Sequence, residues 1–117
     1  MKKLLIVDDN LDYLGLLVSV FEKHFEVYEA SGVKEALSVL EDKEIDAICS
    51  DFNLRDGTGL GLLKEIRQKN LTVPFLLMSG DDGRMLEKKA KQYGGVFCCK
   101  THYDFLAKVR ELVNIET

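Results

Sequence analysis

Short apolar runs alternate along this chain with longer segments in which apolar residues recur every three or four positions. The runs are "LLIV" from Leu4, "FEVYEA" from Phe25, "AICSD" from Ala47, "VPFLLMS" from Val73 and "VFCC" from Val96. Their length and their content of β-branched and aromatic residues predict strands. Between them, Leu11, Leu14, Val18, Phe21 and Phe25 fall at the spacing of one helix face. Ser31 is placed to cap a second helix that carries Val33, Ala36, Leu37 and Leu40 inward. Thr58 is placed to cap a third, with Leu62, Leu63 and Ile66 on one side. The spacing predicts a helix over 82–93, with Leu86, Ala90 and Tyr93 inward and Gly94 as its stop. Phe105, Leu106, Val109, Leu112 and Val113 mark a last helix. Pro74, the only proline, sits near the start of its strand, where a missing N–H is tolerated.

Strands alternating with helices in this way predict an α/β fold, a doubly wound five-stranded parallel sheet with helices on both faces. The nearly continuous apolar runs fit strands covered on both sides. No linker, low-complexity tract or repeat beyond this rhythm interrupts the 117 residues, so 1–117 reads as a single domain.

The polar residues cluster at one end of the strands. The first strand finishes in Asp8 and Asp9, the third in Asp51, the fourth in Ser79 and the fifth in Lys100, whereas the second finishes in the uncharged Ala30 and Ser31. In open α/β sheets, ligands bind outside the carboxyl ends of the strands, where the winding reverses. A flavodoxin-like order 2-1-3-4-5 gathers the five polar residues around one crevice and leaves the silent end of strand two at the edge.

Three carboxylates in one crevice repel, by roughly 4 kcal/mol for a pair about 4 Å apart at an effective dielectric near 20, so a cation belongs to the design. An all-oxygen donor set without nearby imidazole or thiolate favours a hard cation, and a few carboxylates with waters suit Mg²⁺. With Lys100 beside it, such a centre becomes an anion site, and Asp51 is the natural nucleophile because carboxylates form aspartyl phosphates. Helix capping by Asp8, Asp9 or Asn10 explains part of the acidic pair but leaves Asp51 and Lys100 unexplained.

Composition removes several alternatives. With 46% hydrophobic and 31% charged residues the chain fits an ordinary globular protein, and no stretch approaches the ~20 apolar residues of a membrane span. The start "MKKLLIVDD" is too short for a signal-peptide core, which places the protein in the cytoplasm. The odd count of three cysteines, with Cys98 and Cys99 adjacent, fits reduced buried thiols. A net charge of −4 without a basic cluster argues against direct nucleic-acid binding. "DDNLDY" mimics a calcium loop but has Tyr13 where the loop needs glycine and Ser19 where it needs glutamate. Cys98 and Cys99 point to opposite faces of a strand, so at most one could share a metal with His102. Lys88, Lys89 and Lys91 form a basic run that reads by default as a solvated helix face.

Over essentially its whole length the chain resembles the receiver domain of bacterial two-component response regulators. The motifs are "LLIVDDN", "SDFNLRDGTG", "FLLMSGDD" and "FCCK", in that order. The resemblance implies that Asp51 accepts a phosphoryl group from a phosphohistidine on a histidine kinase or histidine phosphotransfer protein. It implies that Asp8, Asp9, Asp51 and the backbone carbonyl of Asn53 hold Mg²⁺, and that Lys100 and Ser79 contact phosphoryl oxygens. Ser79 and Phe97 would form the switch, and Asn53 and Asp81 would tune the lifetime of the phosphoryl group toward rapid loss. The face of helix four, strand five and helix five would then change its preference for a downstream protein target. Two family prolines are replaced, by Arg55 and by Thr101, the latter directly after Lys100. Two other classes remain in view: a pseudo-receiver that binds partners without phosphorylation, and a phosphatase with an aspartyl-phosphate intermediate. Such phosphatases place the nucleophile on the first strand with a second aspartate two residues on, where this chain has Asn10 after Asp8.

Overall fold

The computed structural model describes residues 1–80 and 83–99, together with Ala107, Val109 and Glu111. Five strands form one parallel sheet: β1 (Lys3–Val7), β2 (Glu26–Ala30), β3 (Ala47–Asp51), β4 (Phe75–Ser79) and β5 (Val96–Cys99). Their order across the sheet is β2-β1-β3-β4-β5, as the pattern of strand ends predicts. The register brings Val7 beside Ala30 and Ser50, Asp51 beside Met78, and Ser79 beside Cys99. The carboxyl ends of all five strands therefore lie within two residues of one another along the ladders.

Four helices connect them: α1 (Leu11–Phe21), α2 (Val33–Asp42), α3 (Gly59–Gln68) and α4 (Arg84–Gln92). Ala107, Val109 and Glu111 are also helical, while the remainder of the segment predicted as the last helix lies outside the described residues. Successive strand residues face opposite ways, so the sheet builds two cores. Leu4, Ile6, Cys49, Leu76 and Met78 pack with Leu14, Leu17 and Phe21 of α1 and with Val109. Leu5, Val7, Ile48, Phe75 and Leu77 pack with Ala36 of α2, Leu62, Leu63 and Ile66 of α3, and Ala90 of α4. Leu4 through Val7 are all 0% exposed, which accounts for the unbroken apolar run. Burial of each such side chain contributes about 1.5–3 kcal/mol.

Local chemistry sets the helix boundaries. The Asn10 side chain accepts a hydrogen bond from the Tyr13 amide at 3.1 Å and starts α1, and Thr58 Oγ1 accepts one from the Gly61 amide at 2.9 Å and starts α3. Gly94, at φ 72°, takes the left-handed conformation that ends α4, with the Gly95 amide donating to the carbonyl of Ala90.

Three expectations need correction. Ser31 does not cap α2: the N-cap is Gly32, which has no side chain, and the Ser31 hydroxyl instead donates to Glu35 Oε2. In α1 the buried stripe runs through Leu14, Leu17 and Phe21, so Leu11 faces solvent at 69% exposure and Val18 is half-buried. Phe25 is buried but lies beyond the end of the helix. Pro74 stands just ahead of β4, where its carbonyl accepts from the Ile48 amide. No helix among the described residues is long and apolar enough to cross a membrane.

Candidate functional site

The site lies where β1 and β3 end. Asp8 continues the ladder for one residue, donating its amide to the carbonyl of Ala30 at 3.0 Å, and is fully buried. Its Oδ1 accepts the amide of Asn10 at 2.9 Å, which turns the chain into α1. One residue thus closes the strand with its amide and, with its carboxylate, starts the turn that leads to the Asn10 cap. Asp9 is exposed beside it, and Asp51 is the last residue of β3, 9% exposed. One carboxylate oxygen from each of Asp8, Asp9 and Asp51 lies within 4.8 Å of the other two.

That triangle brings three of the sequence-predicted residues together. At this spacing a pair of charges repels by roughly 3 kcal/mol at an effective dielectric near 20, less for the exposed Asp9 than for the two buried groups. A divalent ion removes the conflict. The donors are all hard oxygens, with one exposed carboxylate leaving room for water ligands, and this fits Mg²⁺. Such an ion, if bound, would neutralise the carboxylates and act as a Lewis acid toward an oxygen ligand.

The remaining predicted residues are placed as follows. Ser79, the last residue of β4, is 6% exposed and lies one step beyond the Asp51–Met78 pair. Asn53 is exposed, two residues after Asp51, and opens a short antiparallel ribbon in which Asn53 pairs with Thr58 and Leu54 with Gly57. Phe97 is half-buried opposite Leu77 and packs on the core beneath α3 and α4. Lys100, Asp81 and the Lys100–Thr101 peptide lie outside the described residues, as does His102. Cys49 and Cys98 are buried, and Cys99 is half-buried with its Sγ 3.9 Å from the carbonyl of Gly80.

Two neighbours of the site were not singled out by sequence. Gly59 packs against Asp51 so closely that a Cβ there would stand 2.3 Å from the Asp51 carbonyl oxygen and 2.7 Å from Leu77 Cδ1. Its amide donates to the carbonyl of Phe52 at 2.7 Å. A glycine directly after the Thr58 cap is the only local trace of this contact. Asp56, at the tip of the ribbon, accepts the amides of Val33 at 2.7 Å and Lys34 at 3.1 Å. The amides of Lys34 and Val33 hold its carboxyl below the usual carboxylate range. No local pattern announces it, because its partners are 22 and 23 residues away.

Residues 4–111 match the family model described as the response regulator receiver domain. The Staphylococcus aureus response regulator SaeR is 31% identical over 80 residues, which is 68% of this chain. The chain is matched over about a third of the length of that relative (35%). Among solved structures, the receiver domain of Francisella response regulator 1452 superposes with a TM-score of 0.92 at 22% identity, covering 100% of both chains. A two-component response regulator from Clostridium difficile superposes with a TM-score of 0.89 at 26% identity, covering 100% of this chain and 99% of that one.

Proposed function

Because the chain belongs to the response regulator receiver family, we propose that it works as a phosphoryl-accepting switch with Asp51 as the acceptor. The observation that carries this reading is the triangle of Asp8, Asp9 and Asp51 carboxylates within 4.8 Å at the carboxyl edge of the sheet. Asp8, Asp9, Asp51 and the Asn53 carbonyl are the ligands that would hold Mg²⁺.

An Asp51 carboxylate oxygen attacks the phosphorus of a phosphohistidine on a histidine kinase or phosphotransfer protein. The P–N bond breaks and the imidazole leaves with its electron pair. Charge that develops on the phosphoryl oxygens is met by the Ser79 hydroxyl and by Lys100. Hydrolysis of the acyl phosphate later resets the protein, so it catalyses its own phosphorylation and dephosphorylation without turning over an external substrate. Asn53 and Asp81 set the rate of that loss, and a phosphorylated form lasting hours would contradict this assignment. Retention of Ser79 at the site and Phe97 on the neighbouring strand supports a switch in which the face of α4, β5 and the last helix changes its affinity for a downstream protein. The cytoplasm is the compartment in which such a relay operates.

Incubation with acetyl phosphate and Mg²⁺ tests the reading. The native protein is expected to gain one phosphoryl group, and Asp51→Asn none. Uptake by Asp51→Asn at that position would overturn the assignment. Absence of uptake by the native protein from acetyl phosphate and from every histidine kinase of the source organism would favour a partner-binding module that is not phosphorylated.

A further inference from the structure

The ribbon that follows Asp51 is tied to a helix distant in sequence. Arg55 Nη2 donates to the Ser31 hydroxyl at 2.6 Å, and that hydroxyl donates to Glu35 Oε2 at 2.9 Å. The two Asp56 oxygens accept the Val33 and Lys34 amides, the first turn of α2. Gly57 lies close enough that a Cβ on it would stand 3.2 Å from Val33 Cγ2. Three consecutive ribbon residues therefore meet residues 31–34.

Both surfaces are shaped for this contact. The α2 N-cap is a glycine that offers no side-chain cap of its own, and a Cβ on Gly32 would stand 2.6 Å from Asp56 Oδ1. The cap is supplied from another segment only because Gly32 leaves room for it. At its other end the ribbon is anchored by Leu54, 8% exposed in the core, and by Gly59 against the Asp51 carbonyl. Asn53 stands between these anchors, with Asp51 two residues before it.

We propose that Arg55 and Asp56 act as a clamp that fixes the ribbon on α2 and so positions the Asn53 carbonyl for cation binding beside Asp51. Both are positioning residues, acting through the backbone they hold. Arg55 bridges the ribbon to residue 31 through its guanidinium, a reach that a short or apolar side chain there would not have. The proposal rests on the Mg²⁺ reading above and extends it to the first turn of α2, which becomes part of the scaffold of the site. Cation binding then tightens the clamp, because whatever the clamp does to affinity the cation must return to the clamp.

The test is a Mg²⁺ titration followed through the amide resonances of Asp9 and Gly59, with hydrogen exchange at Val33 and Lys34 measured alongside. Asp56→Asn removes the charge and keeps an acceptor; Asp56→Ala removes both. The Ala variant is expected to bind Mg²⁺ roughly tenfold more weakly, the low end of what the loss of an outer-shell partner costs, with the Asn variant clearly closer to native. In the native protein Mg²⁺ is expected to slow exchange at Val33 and Lys34. Equal losses in the two variants would assign the effect to charge alone and overturn the clamp, as would native affinity in a folded Ala variant. If the native protein itself bound no Mg²⁺, the cation reading would fall and the clamp with it, an outcome distinct from native binding with an indifferent variant.

Discussion

A Cβ built on Gly59 would stand 2.3 Å from the carbonyl oxygen of Asp51, so the first residue of α3 is pressed directly on the backbone at the end of β3. Flexible side chains could yield to such a group, but a backbone carbonyl at the end of a central strand cannot. Gly59→Ala is therefore expected to destabilise the fold by about 1–3 kcal/mol, the usual range for overpacking. Denaturant unfolding measures the loss, and Mg²⁺ binding is expected to weaken with it as Asp51 shifts. A variant with native stability would mean that α3 can withdraw without cost.

Carboxylates that converge on an ion oppose one another when the ion is absent. Asp9→Asn is accordingly expected to stabilise the cation-free protein slightly, by about 1 kcal/mol or less, because Asp9 is exposed and screened. In saturating Mg²⁺ the order reverses, since the native protein gains binding energy that the variant has partly lost. Thermal unfolding with and without Mg²⁺ reads both signs. Destabilisation of the variant under both conditions would show that Asp9 serves the fold rather than the ion.

At the opposite end of the sheet Arg67 gathers main-chain carbonyls from two segments distant from one another in sequence. Its Nε donates to Tyr93 at 2.6 Å, and Nη1 donates to Leu71 at 2.8 Å and Val73 at 2.9 Å, which joins α3 to the end of α4 and to the approach of β4. Partial burial lowers the pKa of the guanidinium without threatening its charge. Arg67→Ala is expected to cost about 2–3 kcal/mol through lost charge-assisted hydrogen bonds. Arg67→Lys should recover little, since an ammonium cannot span the fork. Phosphoryl uptake by the folded fraction should be unchanged, because these contacts lie at the strand ends remote from Asp51.

The parts of this molecule that sequence makes legible are those written with a short period. The β1 run, the strand-end residues Asp8, Asp9 and Asp51, the Thr58 cap and the Gly94 stop all carry local signals, and the sheet order follows from which strand ends are charged. Long-range choices are less visible. The phase of α1 is ambiguous because Leu11, Leu14, Leu16, Leu17, Val18 and Phe21 crowd every side of the helix, and only packing on Leu4 and Met78 selects the Leu14–Leu17–Phe21 stripe. Ser31 has the right chemistry for a cap at nearly the right place, yet Asp56 takes that role across 23 residues. A contact made between segments leaves only glycines, such as Gly32 and Gly59, as its trace.

The clamp also predicts a pH dependence whose sign is determined by Asp56. The Lys34 and Val33 amides favour its ionised form, so its pKa in the folded protein lies below the ordinary value of 3.8. In the unfolded chain those amides are gone and the ordinary value returns. At any pH between the two, the unfolded chain binds more protons than the folded one, and stability rises with pH across that window. The contribution is complete well above pH 3.8 and is lost as pH falls through the lowered native value. The stability difference between native protein and Asp56→Ala should therefore be constant from neutral pH down to about 5, then narrow on further acidification. Neutral Asp56 still has a carbonyl oxygen that accepts one amide, so a small difference should survive at the acid end. Denaturant unfolding of both proteins over this range provides the check. A gap that widened toward acid would require Asp56 to bind its proton more tightly in the fold, which is incompatible with two amides donating to its carboxylate.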